Sequence, residues 1–154
     1  MKVALPLVET AFHPLTMSHR RFSLLVAFSG LSGFSAVALG ALGAHALHAT
    51  LTERQTLGSW QTAATYHLVH SVAALALLVW AQQEAATRSR RLRLISASWL
   101  VGCLLFSGSI YGLALGGPRF LGPITPLGGL AFLAGWTGVV WLAFKQSPKP
   151  DSGA

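Results

Sequence analysis

The residues of this 154-residue chain best suited to chemistry are four histidines: His45 and His48, then His67 and His70. Each pair is spaced i, i+3, so on a helix both rings project from one face. Imidazole donates and accepts hydrogen bonds, ligates Zn, Cu or Fe, and titrates near neutral pH. Tyr66 adds a phenol beside the second pair, and His45, Tyr66, His67 and His70 form the candidate polar cluster. Three uses compete: hydrogen bonds between helices, to Tyr66, Ser71 or a carbonyl; a metal or haem site; and a path for protons or a small solute. The first is preferred. No Cys, Asp or Glu lies near the histidines to complete a ligand set, so no metal ligand is assigned and any cofactor stays unknown. Nor do repeats or interrupted helices suggest a transporter. Acid–base or nucleophilic catalysis also lacks its parts: the only acidic residues are Glu9, Glu53, Glu84 and Asp151, and none stands in an apolar segment to orient a histidine. Ser71 and Thr65 are neighbours of His70 in sequence, which does not make a triad. No catalytic residue is assigned, and the expectation is that the chain is not an enzyme. Cys103 lies alone in an apolar block and is read as a small core residue, with no disulfide scaffold implied.

The elements that must position these residues are long apolar blocks. Hydrophobic residues make up 53% of the chain and charged ones 10%, too few to coat a soluble domain, which carries roughly 25%. A crossing helix needs about 20 mainly apolar residues, and four segments qualify: 22–44, 63–81, 94–115 and 124–144. None contains Asp, Glu, Lys or Arg. Lys2, Arg20 and Arg21 precede the first, Arg88, Arg90, Arg91 and Arg93 separate the second and third, and Lys145 and Lys149 follow the fourth. Only Arg54 and Arg119 fall on the other side. The positive-inside rule then places both termini in the cytoplasm, as expected of a multi-pass inner-membrane protein. The arginine run has anionic lipid headgroups as natural counterions. Despite a pI near 10.9, the basic residues form no stripe with interleaved aromatics, so nucleic acid is not an expected partner. The lipid bilayer is, and a second copy or another membrane protein is possible.

Residues 1–21 read as a flexible cytoplasmic tail, with Met17 an alternative start, and 145–154 as a second tail. The Ala44-His45-Ala46 pattern after the first apolar run invites a signal-peptide reading, but the run exceeds the usual 7–15 residues of such a segment; an uncleaved anchor is expected. Small residues at four-residue spacing let membrane helices approach closely. Ser32, Ala36, Gly40 and Ala44 form one strip, Gly108, Gly112 and Gly116 another, Ala134 and Gly138 a third. Thr50-Leu51-Thr52-Glu53 matches a capping box and predicts a short interfacial helix between spans one and two. Gly116-Gly117-Pro118 ends span three, and Thr125-Pro126 suggests the cap and first residue of span four. His67 and His70 then lie roughly 6 and 10 Å into span two, level with the end of span one, which predicts that His45 and His70 share one cluster. The expected fold is all-α: an integral membrane four-helix bundle.

Three separated motifs, Gly40-Ala41-Leu42-Gly43-Ala44-His45-Ala46-Leu47, Trp60-Gln61-Thr62-Ala63 with Tyr66, His67 and His70, and Ile124-Thr125-Pro126-Leu127-Gly128-Gly129 with Gly135-Trp136, together resemble the YgdD/YwdK-like small membrane proteins, the domain of unknown function 423 family. The resemblance covers roughly 22–144. It implies a four-span bacterial inner-membrane protein, with related proteins in eukaryotes, and brings no established activity. Its motif residues correspond to His45, Tyr66, His70, Thr125, Pro126, Gly128 and Gly129, with His67 at a position where Gln is common. The leading functional expectation is an accessory or scaffold protein acting through helix contacts; the alternative is a histidine-based metal, haem or proton site in the outer half of the bundle.

Overall fold

In lipid a backbone amide must find its partner within its own segment, so apolar blocks of this length form helices. The computed structural model describes residues 17–145, with 17–21 as backbone alone. The expectations for Met1–Thr16 and for 146–154 lie outside the described residues. The chain runs through α1 (Met17–Ala44), α2 (His48–Glu53), α3 (Leu57–Ala81), α4 (Ala86–Gly102), a π-helical segment (Cys103–Ser107), α5 (Gly108–Ala114) and α6 (Leu121–Phe144). Among the described residues there is no strand. Four helices, 22–44, 57–81, 86–114 and 121–144, are long and apolar enough to cross a membrane. Even 23 residues rise roughly 34 Å, more than a hydrocarbon core about 30 Å thick.

Helices outrun the apolar segments at all four starts: α1 at Met17, α3 at Leu57, α4 at Ala86 and α6 at Leu121. Composition marks where lipid ends, whereas a helix continues until its backbone turns. Arg88, Arg90, Arg91 and Arg93 therefore stand on the first turns of α4 rather than in a loop. Two cap assignments are corrected for the same reason. Thr50 lies inside α2, whose N-cap Leu47 makes no side-chain bond, and Glu53 is its last residue. Thr125 and Pro126 lie inside α6, which is capped at Phe120. Hydroxyls within a helix reach back to the preceding turn: Thr52 Oγ1 donates to His48 O at 2.8 Å, Thr125 Oγ1 to Leu121 O at 3.3 Å. The end of α5 follows the sequence. Gly116 takes φ +86°, Gly116 N–H bonds Leu113 O at 2.9 Å, and Gly117 N–H bonds Gly112 O at 2.8 Å, the Schellman pattern that favours glycine at the left-handed position.

The helix α3 and the third span (α4, the π-helical segment and α5) form a central pair; α1 flanks it along α3, and α6 along the third span. Leu51, Trp60, Leu78, Leu92 and Trp99 are buried, but large apolar side chains also face outward and several polar ones inward, as lipid permits. Phe28, Leu31, Phe34 and Val37 on α1 are 58, 62, 72 and 60% exposed, while His70, Ser71, Ser96, Ser107 and Ser109 are buried. Of the small-residue strips, Ala36 is buried and Gly40 faces Ala64 at the α1–α3 seam, but Gly43 rather than the exposed Ala44 makes the closest approach. Gly108 faces open space, Gly112 meets only the Leu121 side chain at the start of α6 and Gly116 faces Arg54, so that strip brings no two helix backbones together. Ala134 is exposed, whereas Gly138 meets Ile95.

The seams are built instead from an aromatic ring laid over a glycine. Trp60 covers Gly43, Trp99 covers Gly135 and Phe132 covers Gly102. With no Cβ in the way, each indole reaches the backbone of the turn below: Trp60 Nε1–H donates to Leu39 O at 2.9 Å and Trp99 Nε1–H to Phe132 O at 3.3 Å. The closest crossing is at Gly128, which lies directly against the backbone of Phe106 in the π-helical segment.

Candidate functional site

The i, i+3 spacing does put His67 and His70 near one face of α3, but about 60° apart around the axis, and the two rings meet different neighbours. His70 turns to α6. Its ring stacks on Phe132 at 3.7 Å between centroids, and Trp136 Nε1–H donates to its Nε2 at 3.1 Å. An indole N–H can only donate, so Nε2 is the acceptor and the proton sits on Nδ1, which donates to Tyr66 O at 2.8 Å. Both ring nitrogens are used. Tyr66 contributes its carbonyl and a ring stacked 5.8 Å from His70, while its side chain is 45% exposed. A cavity of about 610 Å³ opens beside this group, lined by Tyr66, His70, Phe106, Gly129, Phe132 and Trp136.

His67 turns instead to α1. Its Nε2 lies 3.0 Å from Ser32 Oγ, which lies 2.6 Å from Ser71 Oγ, and Ser71 donates to His67 O at 2.7 Å. With Ser71 giving its proton to the carbonyl, Ser32 gives to Ser71 and His67 Nε2–H to Ser32; with the Cys103 thiol giving to that carbonyl instead, the chain runs the other way, from Ser71 through Ser32 to Nε2. Cys103 Sγ closes the other side, 3.6 Å from His67 O and 4.0 Å from Ser71 Oγ. The expected small core residue is thus buried against the polar chain. His67 Nδ1 and the hydroxyl of Tyr111 are buried without a hydrogen-bond partner.

The cluster predicted from sequence is divided. His45 is exposed beyond the end of α1. Because Gly40 faces Ala64 and Gly33 faces Ser71, residues opposite one another on α1 and α3 sum to about 104, which puts His45 level with Ser59. That is roughly 16 Å along the axis from His70, so the shared His45–His70 cluster is not formed. The helix α3 begins at Leu57 rather than at Ala63, so His70 lies deeper than the apolar segment alone implies. Among the described residues no three of His, Cys, Asp and Glu gather as a metal site, so the metal and haem alternative lacks a ligand set here. Ser32, Trp136 and Phe132 were not singled out as histidine partners. The Gly135-Trp136 motif was a signal for one of them; nothing local marks Ser32, which becomes visible only through the α1–α3 register.

Of the other motif residues, Gly40 and Gly43 lie at the α1–α3 seam, Gly128 at the α6 crossing, and Gly129 at ordinary distance from Phe106. Thr125 shares a 2.7 Å hydrogen bond with Ser109, and Pro126 is exposed within α6. The basic residues gather at one end of the bundle with a belt of tryptophan. Arg88 lies 4.9 Å over Trp80 and pairs with Glu84 at 3.5 Å; Arg91 and Lys145 lie 4.8 and 4.4 Å over Trp141. Arg54 packs at the other end, against Gly116.

Apolar flanks, uncharged interiors and polar side chains spent on neighbouring helices define a multi-pass membrane protein, and among the described residues no group indicates catalysis. The chain belongs to the family of proteins of unknown function DUF423, whose model matches residues 39–129. It is 42% identical over 96 residues to a UPF0382 membrane protein of Haemophilus influenzae, covering 62% of this chain and 74% of that one. It is 36% identical over 88 residues to the UPF0382 membrane protein YwdK of Bacillus subtilis, covering 56% and 68%. A UPF0382 membrane protein of Schizosaccharomyces pombe is 38% identical over 95 residues, covering 58% and 75%. No solved structure matches.

Proposed function

We propose that this protein is a non-enzymatic accessory or scaffold subunit of the inner membrane that works through helix contacts. The observation that carries this reading is the use of its polar side chains. His70 to Trp136, Ser96 to Ala74 O, Ser98 to Ala131 O, Thr56 to Ala114 O and Trp60 to Leu39 O each tie one helix to another. Such bonds hold an arrangement rather than attack a substrate. Meanwhile α1 is held along one side, and its opposite side presents Phe34 and Val37 with Gly30 in open space, a surface onto which a second membrane helix fits. With the arginine end in the cytoplasm, as the positive-inside rule directs, both termini lie there too.

The test replaces Cys103 with Ala and Gly30 with Cys, then oxidises membranes containing the variant. Crosslinked dimers are expected, and single-molecule photobleaching of the labelled protein in liposomes should show more than one copy per spot. A protein that stays single at every density and forms no crosslink would refute self-association through α1.

A further inference from the structure

The seam between α1 and the third span carries two cavities of opposite character. At the arginine end of the bundle, Phe22 of α1, Gln82 and Glu84 of the α3–α4 turn, and Ser89 and Arg93 of α4 enclose about 450 Å³. Deeper in the bundle, Leu25, Phe28 and Leu31 of α1 face Leu100, Val101 and Leu104 of the third span around about 500 Å³, with no Lys, Arg, Asp or Glu in the lining. Both volumes are in the range of small-molecule sites. Ser32 and His67, which also line the deeper cavity, already bond each other at 3.0 Å. The pairs Ser32–Ser71 and Gly40–Ala64 make α1 antiparallel to α3, and Ser96–Ala74 and Cys103–His67 do the same for the third span. The two walls of the seam are therefore parallel, and their lining residues follow one another without a break. Phe22, Leu25 and Phe28 step by three along α1, while Ser89, Arg93, Ala97, Leu100 and Leu104 step by three or four along one face of the third span.

We propose that this groove seats one anionic phospholipid from the leaflet on the arginine side, with its phosphate at Arg93, Ser89 and Gln82 and one acyl chain along the row from Ala97 to Leu104. The charge at this end favours an anion: Arg88, Arg90, Arg91, Arg93 and Lys145 outnumber Glu84, which pairs with Arg88 at 3.5 Å, and Arg20 and Arg21 stand on α1 just before Phe22. A guanidinium matches the geometry of a phosphate, and Ser89 and Gln82 add neutral donors. The length fits a lipid as well. Eleven residues from Arg93 to Leu104 rise roughly 16 Å, about half of a hydrocarbon core about 30 Å thick, which is the reach of one acyl chain below its headgroup. Charge is confined to the end where a headgroup lies and is missing from the wall that a chain would touch. The site goes beyond the scaffold reading and uses the side of α1 that faces the third span rather than the opposite one, so either can fail alone.

The experiment titrates the whole protein, in a neutral detergent, with phosphatidylglycerol, with phosphatidylcholine of the same chains and with glycerol 3-phosphate, and counts the molecules retained by native mass spectrometry. One phosphatidylglycerol should be held at least about fivefold more tightly than phosphatidylcholine, the scale of one arginine beside an anionic headgroup, and glycerol 3-phosphate should not be held. Arg93→Gln should lower that preference about fivefold. Arg91→Gln removes the same charge at the same end, but from above Trp141, and should leave the preference in place. Ala97→Phe puts a ring into the row and should weaken retention of phosphatidylglycerol. Equal retention of the two lipids would overturn the proposal, as would equal losses in the two arginine variants or unchanged retention in Ala97→Phe. So would glycerol 3-phosphate bound as tightly as the lipid, or a dimer that holds no lipid where the monomer holds one, which would give the groove to a second copy. The comparison among the three ligands uses the unaltered protein and holds whether or not the variants fold.

Discussion

Replacing His70 with Leu tests whether the α3–α6 contact is held by the imidazole as the geometry indicates. Three interactions go at once. The Trp136 indole loses the acceptor 3.1 Å away, the ring stack on Phe132 at 3.7 Å is lost, and Tyr66 O loses a second donor. The last costs little, because that carbonyl still has its helical amide. Interhelical hydrogen bonds in a bilayer are worth about 0.6 kcal/mol on average and reach about 1.7, and an aromatic stack adds about 0.5–1.5 kcal/mol beyond area. Leucine restores much of the apolar contact, so the expected loss is about 1–2 kcal/mol. Trp136→Phe removes the indole N–H and should cost about 1 kcal/mol. The decisive quantity is their coupling in a double-mutant cycle, expected at about 0.6–1.7 kcal/mol and measured by reversible unfolding in mixed micelles. His70→Gln should recover part of the coupling, because its amide oxygen accepts. A coupling energy of zero within error, or a His70→Leu protein more stable than the parent, would refute the argument that this bond joins the two helices.

Three further outcomes follow from the packing. Gly128→Ala puts a methyl group into the Phe106 backbone, whereas at Gly129 the nearest atom, Phe106 Cδ2, is at 3.9 Å; the first should cost about 1–3 kcal/mol as overpacking and the second almost nothing, read in the same unfolding assay. Gly116→Ala forces a side chain into φ +86° and toward Arg54, with an expected loss of about 1 kcal/mol or more. Reporter fusions after Arg93 and Lys145 should be active on the cytoplasmic side and one near Arg54 on the other; a cytoplasmic Arg54 would end the proposed orientation.

The number and order of the spans were legible because lipid imposes one rule, an uninterrupted apolar helix, and composition reports it directly. Helix ends were less legible. Thr50 and Thr125 look like caps by residue type, but a threonine inside a helix bonds the previous turn equally well, and only the position of the first backbone turn decides between them. Small-residue strips were the weakest signal. Gly112 and Gly128 have the same lack of a side chain, yet Gly112 faces a Leu121 side chain and Gly128 a neighbouring helix backbone. The backbone that Gly128 meets is that of Phe106, inside the π-helical segment Cys103–Ser107, and no residue type announces that segment.

The two histidines of α3 illustrate why proximity in sequence was a poor guide to shared chemistry. Three residues separate them, enough for a rotation of about 60°, and in a bundle where α1 and α6 flank the same central pair that angle assigns each ring to a different outer helix. His70 meets an indole, which can only donate, so its nitrogens are satisfied in one arrangement. His67 meets serine hydroxyls that both donate and accept, so its chain of hydrogen bonds can run either way, and Nδ1 has no hydrogen-bond partner. A histidine that has met every hydrogen-bonding need can only hold helices together. One that keeps a ring nitrogen buried without a partner carries a cost in lipid that the packing of α1 and α3 around it must offset.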